Sequence, residues 1–214
     1  MRRSGSRGTL VLAAAAAAAL SGRAAAQVAE GPVAPPPGSF AVEKIIARGA
    51  ACPGPETVNV AFTPDGQALV VDLDPGLLTV LVGPGSAAAG RTCQMQLDLR
   101  IPLGHRVALR RATYRGVAYL QAGVTGRHMT RTWFLGTRAP ARMAELHGPH
   151  RGRYRIGSDF GPEAVHSLCN LDRPLFLHTT VAASNLLEPR GVGLMSAGGP
   201  SAIVYELTWS RCSR

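Results

Sequence analysis

The stretch from Cys93 to Ile101 alternates without a break. Cys93, Met95, Leu97, Leu99 and Ile101 fall on one side of an extended chain, and Gln94, Gln96, Asp98 and Arg100 on the other. Successive side chains on a strand point to opposite faces, so this pattern gives one apolar and one wet face, the mark of an antiparallel sheet. A helix would scatter the same residues around its axis.

The remaining segments repeat that theme. Val58, Val60 and Phe62 alternate before Pro64-Asp65-Gly66, a hairpin signal because glycine takes the positive φ such turns need. Ala68 to Leu73 is the return strand, Asp74-Pro75-Gly76 a second turn, and Leu77 to Val82 another strand. Val107 to Tyr114, Val117 to Val124 and Met129 to Leu135 read as a meander with turns at Gly116 and Gly126. Leu175 to Ala183 and Ile203 to Trp209 are strands, and Asn185 to Pro200 reads as a glycine-rich loop. Ala139 to Leu146 has the composition of a short helix. The pattern predicts an all-β chain, an antiparallel β-sandwich of jelly-roll-like kind with about ten short strands.

The N-terminus has the order of a secretory signal peptide. Arg2, Arg3 and Arg7 precede an apolar run from Thr9 to Leu20, and Ala24-Ala25-Ala26 offers a small-residue cleavage site. The run is shorter than the ~20 residues needed to span a bilayer. The expected division is residues 1–26 as signal peptide, 27–39 as a proline-rich linker and 40–214 as one β-sandwich domain. The expected localisation is secreted or periplasmic, with no transmembrane segment after cleavage. Cys52, Cys93, Cys169 and Cys212 fit no compact zinc knuckle, and an even count in an exported chain predicts two disulfides. Three connectivities remain open, with Cys52–Cys93 and Cys169–Cys212 as the working expectation.

A series of motifs runs through the domain. Ala51-Cys52-Pro53-Gly54 is followed by Arg91-Thr92-Cys93-Gln94-Met95-Gln96-Leu97 and by Ile101-Pro102-Leu103-Gly104. Tyr114-Arg115-Gly116-Val117-Ala118, Trp133-Phe134-Leu135-Gly136, Gly148-Pro149 with Tyr154, Ser167-Leu168-Cys169 and Glu206-Leu207-Thr208-Trp209-Ser210-Arg211-Cys212 complete it. From Glu43 to Cys212 the chain resembles the DUF4360 family of secreted proteins. The resemblance implies export, disulfides and a β-rich fold, and supplies no catalytic residue. It also implies Ser-Pro-Cys-Gly around the third cysteine, where this chain has Ser-Leu-Cys-Asn at positions 167 to 170.

The search for chemistry yields few catalytic patterns. Ser196 lacks the glycine two positions earlier that a nucleophile elbow needs, since Leu194 stands there. His147 and His150 are split by Gly148-Pro149, with His166 and His178 as distant companions, and Asp65, Asp72 and Asp74 lie near a hairpin. Neither set has the spacing of a metal site, and no metal or cofactor is expected. Glu145, Asp159, Glu163 and Glu206 offer no evident pair for glycoside hydrolysis.

Arginine is the abundant polar residue. The net charge is +10, Lys44 is the sole lysine, and the leader removes four arginines from that balance. Part of the excess reflects the codon use of a GC-rich genome. Arg106 and Arg110 share one strand face, with Arg111 and Arg115 nearby; Arg127 and Arg131 share another; Arg151, Arg153 and Arg155 form a third row around Tyr154. Guanidinium groups grip carboxylate, sulfate and phosphate in bidentate fashion. The binding residues expected are Arg106, Arg110, Arg151, Arg153, Arg155 and Tyr154. Trp133, Phe134, Tyr114 and Tyr119 are candidates for a sugar-stacking platform or for core. The function these features favour is a non-catalytic secreted module for surface glycans or other polyanions. The alternatives are a structural protein of envelope or matrix and a polysaccharide-active enzyme. Anionic polysaccharide or envelope components are the expected partners, with no specific nucleic acid.

Overall fold

A computed structural model of the chain describes residues 33–138 and 141–212. Residues 1–26, expected as a signal peptide, lie outside that range. Two antiparallel sheets face each other, with no α-helix among the described residues. The strands are β1 (Ala41–Arg48), β2 (Val58–Phe62), β3 (Ala68–Val82), β4 (Ala88–Arg100), β5 (His105–Leu120), β6 (Thr125–Phe134), β7 (Ala141–His147), β8 (His150–Asp159), β9 (Val165–His166), β10 (Leu175–Ser184) and β11 (Gly193–Arg211). One sheet has the order β1-β4-β10-β6-β7, the other β2-β3-β11-β5-β8 with β9 beside β5.

The alternation of β4 is realised as read. Cys93, Met95, Leu97 and Leu99 are buried, and the residues between them face outward. They meet the inner residues of the second sheet, among them Leu69, Leu78, Met195, Tyr205 and Trp209. Trp209 packs against Phe40 and Phe62, and its indole N–H donates to the Gly66 carbonyl at 2.7 Å. That bond satisfies the one polar atom of a buried indole. Residues 33–39 of the proline-rich segment are described: the Val33 N–H donates to the Trp209 carbonyl, and Pro35 is buried.

Four local expectations are corrected. Asp74-Pro75-Gly76 makes no hairpin turn but lies inside β3, and the meander turns expected at Gly116 and Gly126 lie inside β5 and β6. Residues Ala141–His147 form strand β7 instead of a helix. Gly193 to Pro200, read as loop, opens β11. In the first and last cases a bulge explains the misreading. Opposite β3, β11 jumps register between Ala197 and Gly199 and again before Ile203, with Gly76 and Gly199 at φ +103° and +86°. Glycine takes those angles without steric cost, so the strands bend and continue.

Both disulfides form, as Cys52–Cys93 and Cys169–Cys212. The first ties the loop after β1 to β4; the second ties the loop after β9 to the end of β11. Each closes a loop of about 40 residues, worth about 4 kcal/mol in the chain-entropy account. Asn170, where the family resemblance implies glycine, sits at φ +54° and accepts the Gly104 N–H on its Oδ1 at 2.8 Å. Asparagine is among the few residues with a side chain that enter the left-handed region readily.

Candidate functional site

The outer face of the β1-β4-β10-β6-β7 sheet is built in rows set by strand register. Ile46, Gln96, Phe176 and Trp133 stand side by side across four strands. The next row is Arg48, Gln94, His178 and Arg131, and a third, beyond His178, is Thr92, Thr180, Met129 and Met143. Phe176 and His178 face outward because Leu175, Leu177 and Thr179 take the inward positions of β10. Trp133 faces outward because Thr132 and Phe134 face the core.

The aromatic rings touch. Trp133 stacks on Phe176 with centroids 5.0 Å apart and planes at 10°, and His178 meets Trp133 edge-on at 4.6 Å. Met129 and Met143 extend the apolar surface, at 40% and 52% exposure. A concavity of about 420 Å³ opens beside the rings, lined by Thr92, Met129, Arg131, Met143, His178 and Thr180. Burial, with the charges of Arg131 and Arg48, holds the His178 imidazole below its ordinary pKa. Neither arginine has an acidic partner among the described residues. The face therefore combines flat apolar rings, amide groups of two glutamines and unneutralised positive charge.

The expected arginine residues do not assemble into one site. Arg151, Arg153 and Arg155 lie on the outer face of the other sheet, where β8 pairs with β5. Arg106 and Arg110 lie toward the other end of β5, near His166, whose pKa burial and these two charges lower. Arg106 Nε donates to Ser210 Oγ at 2.9 Å. Tyr154 turns away from its arginine neighbours into the core, as period two requires, and bonds with His128 and the Ser196 carbonyl. Of the four aromatic candidates, Tyr114 and Phe134 are core, Tyr119 is exposed on the other sheet, and Trp133 finds Phe176 and His178 as companions. The signal for Phe176 was present in the sequence: an aromatic residue on the outward phase of an alternating strand.

The remaining candidates are dispersed. Among the described residues no three histidine, cysteine or carboxylate groups gather as a metal site. Glu145 pairs with Arg127 at 2.7 Å, Asp159 with Arg111 at 3.8 Å, and Glu163 with Arg142. Asp65 is engaged in its turn by Thr63 and the Gln67 N–H, and those bonds lower its pKa. Ser196 lies mid-strand and accepts the Thr79 hydroxyl at 2.8 Å.

The chain is 28% identical over 103 residues to an uncharacterized secreted protein of Arthroderma benhamiae, a match spanning 48% of this chain and 42% of that one. Two solved structures align at low similarity. One is TmCBM61 in complex with β-1,4-galactotriose: 9% identity, 80% of this chain and 90% of the other, TM-score 0.30. The second is TmCBM27, a carbohydrate-binding module described for specific mannan recognition: 12% identity, 81% and 90% coverage, TM-score 0.25. At these scores the likeness assigns nothing to this chain. The family model of the domain of unknown function DUF4360 matches residues 38–212, the whole sandwich, and the chain belongs to that family.

Proposed function

We propose that this domain is a secreted, non-catalytic module that binds polysaccharide carrying acidic groups, on the outer face of the β1-β4-β10-β6-β7 sheet. The observation that carries the reading is the contact of Trp133 with Phe176 and His178 on an open sheet face. A contiguous apolar patch rimmed by polar groups marks an interaction surface. Sugar rings offer apolar C–H faces to aromatic rings, and their hydroxyls suit glutamine amides, which both donate and accept. Arg48 and Arg131 flank His178 and match carboxylates on such a chain. Two disulfides suit an oxidising compartment, and the Arthroderma benhamiae relative is a secreted protein. No helix among the described residues is long and apolar enough to cross a bilayer.

The test is binding to a panel of neutral and acidic polysaccharides at low and physiological salt. Selective binding that survives ~0.15 M salt, where the screening length is ~8 Å, and is lost in Trp133→Ala supports the reading. Binding that disappears with salt or is unaffected by Trp133→Ala overturns it. Self-association of the domain without any glycan affinity would favour the structural envelope role instead.

A further inference from the structure

We infer that Arg115, Arg153 and Arg155 form a second binding site, on the opposite sheet, for a tetrahedral oxyanion: a phosphate or sulfate ester. Register places Arg115 directly opposite Arg155 across the β5–β8 ladder, and Arg153 opposite Val117, one outward position along. All three line a concavity of about 450 Å³ together with Val117, Gly198 and Pro200.

The concavity has a structural origin. β11 runs beside β5, pairing Ala197 with Gly116 and then Ile203 with Tyr114. The intervening residues of β11 bulge out of the ladder next to Arg115. Bulges are features that re-aim side chains beside sites. Gly116 adds backbone to the lining, while its Cβ position faces inward, 2.7 Å from the Tyr154 hydroxyl. The result is a recess beside the bulge walled by three arginines.

Charge pairing separates these arginines from four others on the surface. Arg100, Arg111, Arg127 and Arg142 each have a carboxylate partner. Arg115, Arg153 and Arg155 have none among the described residues. Like charges directly opposite on a ladder are destabilising. An oxyanion removes that penalty, and guanidinium forks match its oxygens. The site lies on a different sheet from the aromatic face and does not depend on the reading of that face.

The experiment titrates the full chain with inorganic phosphate, glucose 6-phosphate, glucose 6-sulfate and glucose, following backbone amide NMR shifts. The expected result is saturable shifts at Gly116, Arg153, Arg155 and Gly198 with the charged probes and none with glucose. Arg115→Gln and Arg155→Gln each weaken binding roughly tenfold or more, as loss of a charge-assisted bond does. Arg151→Gln and Trp133→Ala leave it unchanged, so failure here is separable from failure of the aromatic face. Without anion, Arg155→Gln melts at the same temperature as the parent or higher, because a like-charge contact is gone. Shifts spread over all exposed arginines, equal weakening by Arg151→Gln, or a lower melting temperature of Arg155→Gln without anion overturn the proposal. Inorganic phosphate binding while both esters fail overturns the ester assignment.

Discussion

Nε2 of His128 lies 2.6 Å from the phenol oxygen of Tyr154, a hydrogen bond that joins the two sheets inside the sandwich. Tyr154 also donates its proton to the Ser196 carbonyl at 3.0 Å, so the neutral imidazole with its proton on Nε2 satisfies both contacts. The ring of His128 stacks on Tyr114, whose hydroxyl donates to Thr130 at 2.6 Å.

Burial pushes the His128 pKa down to about 3. The unfolded chain, with an ordinary imidazole near ~6.5, takes up a proton that the folded state refuses. Stability is therefore full above about pH 6.5 and falls as the pH drops toward 3, by an amount on the order of 4 kcal/mol. Urea midpoints should fall between about pH 7 and about pH 4, and His128→Gln should flatten that slope. A slope unchanged by the substitution would show that other groups set it.

The chain has two tryptophans, and they differ in environment. Trp209 is 1% exposed, and Trp133 lies on the open aromatic face. Acrylamide should quench Trp133 and spare Trp209. A polysaccharide ligand should protect Trp133 from the quencher, and Trp209→Phe should keep that response while Trp133→Phe loses it. Protection of Trp209 alone would place the ligand elsewhere.

Gly116→Ala is expected to destabilise by about 3 kcal/mol or more, the scale of overpacking with backbone contact. The added methyl would meet the Ser196 carbonyl oxygen at 1.9 Å and the Tyr154 hydroxyl at 2.7 Å. Gly85→Ala meets nothing within 4 Å and carries only the strain of φ +88°. Chemical denaturation of the two variants orders these effects; a milder loss for Gly116→Ala than for Gly85→Ala would contradict the close approach.

Asn170→Gly should keep the loop conformation and lose only the bond to Gly104. Asn170→Ala loses the bond and adds left-handed strain, and should cost about 1 kcal/mol more. Melting temperatures at matched conditions test the order. Equal costs would mean the positive φ is not held.

The fold class was legible where alternation was unbroken, as at Cys93 to Ile101, because burial of one face enforces period two. It was illegible where glycine interrupts: Gly193, Gly198 and Gly199 erase the pattern of β11, and Gly116 looks like a turn while serving a close strand contact. β7 was hidden because its inward positions are Arg142, Ala144 and Leu146, with little apolar contrast to their neighbours. The row Arg151, Arg153, Arg155 was correctly placed on one face, and the same period excludes Tyr154 from it. What no local pattern gives is which strands are neighbours. Trp133 and Phe176 are 43 positions apart in sequence and touch only because β6 lies beside β10. Arg115 and Arg155 meet for the same reason on β5 and β8.

The place of β11 has a consequence for how the molecule is made. It is the last of the described strands in sequence, yet it stands in the middle of its sheet, between β3 and β5. Without it that sheet falls into separate fragments, β2-β3 on one side and β5-β8 on the other. An emerging chain therefore has no complete sandwich to close around, however much of it has already appeared. That sheet is complete only once Gly193–Arg211 engages both halves, an arrangement that also sets Cys212 beside Cys169. A fold of such non-local pairing forms slowly. It lends itself to passage across a membrane as an extended thread, with folding deferred to the oxidising side.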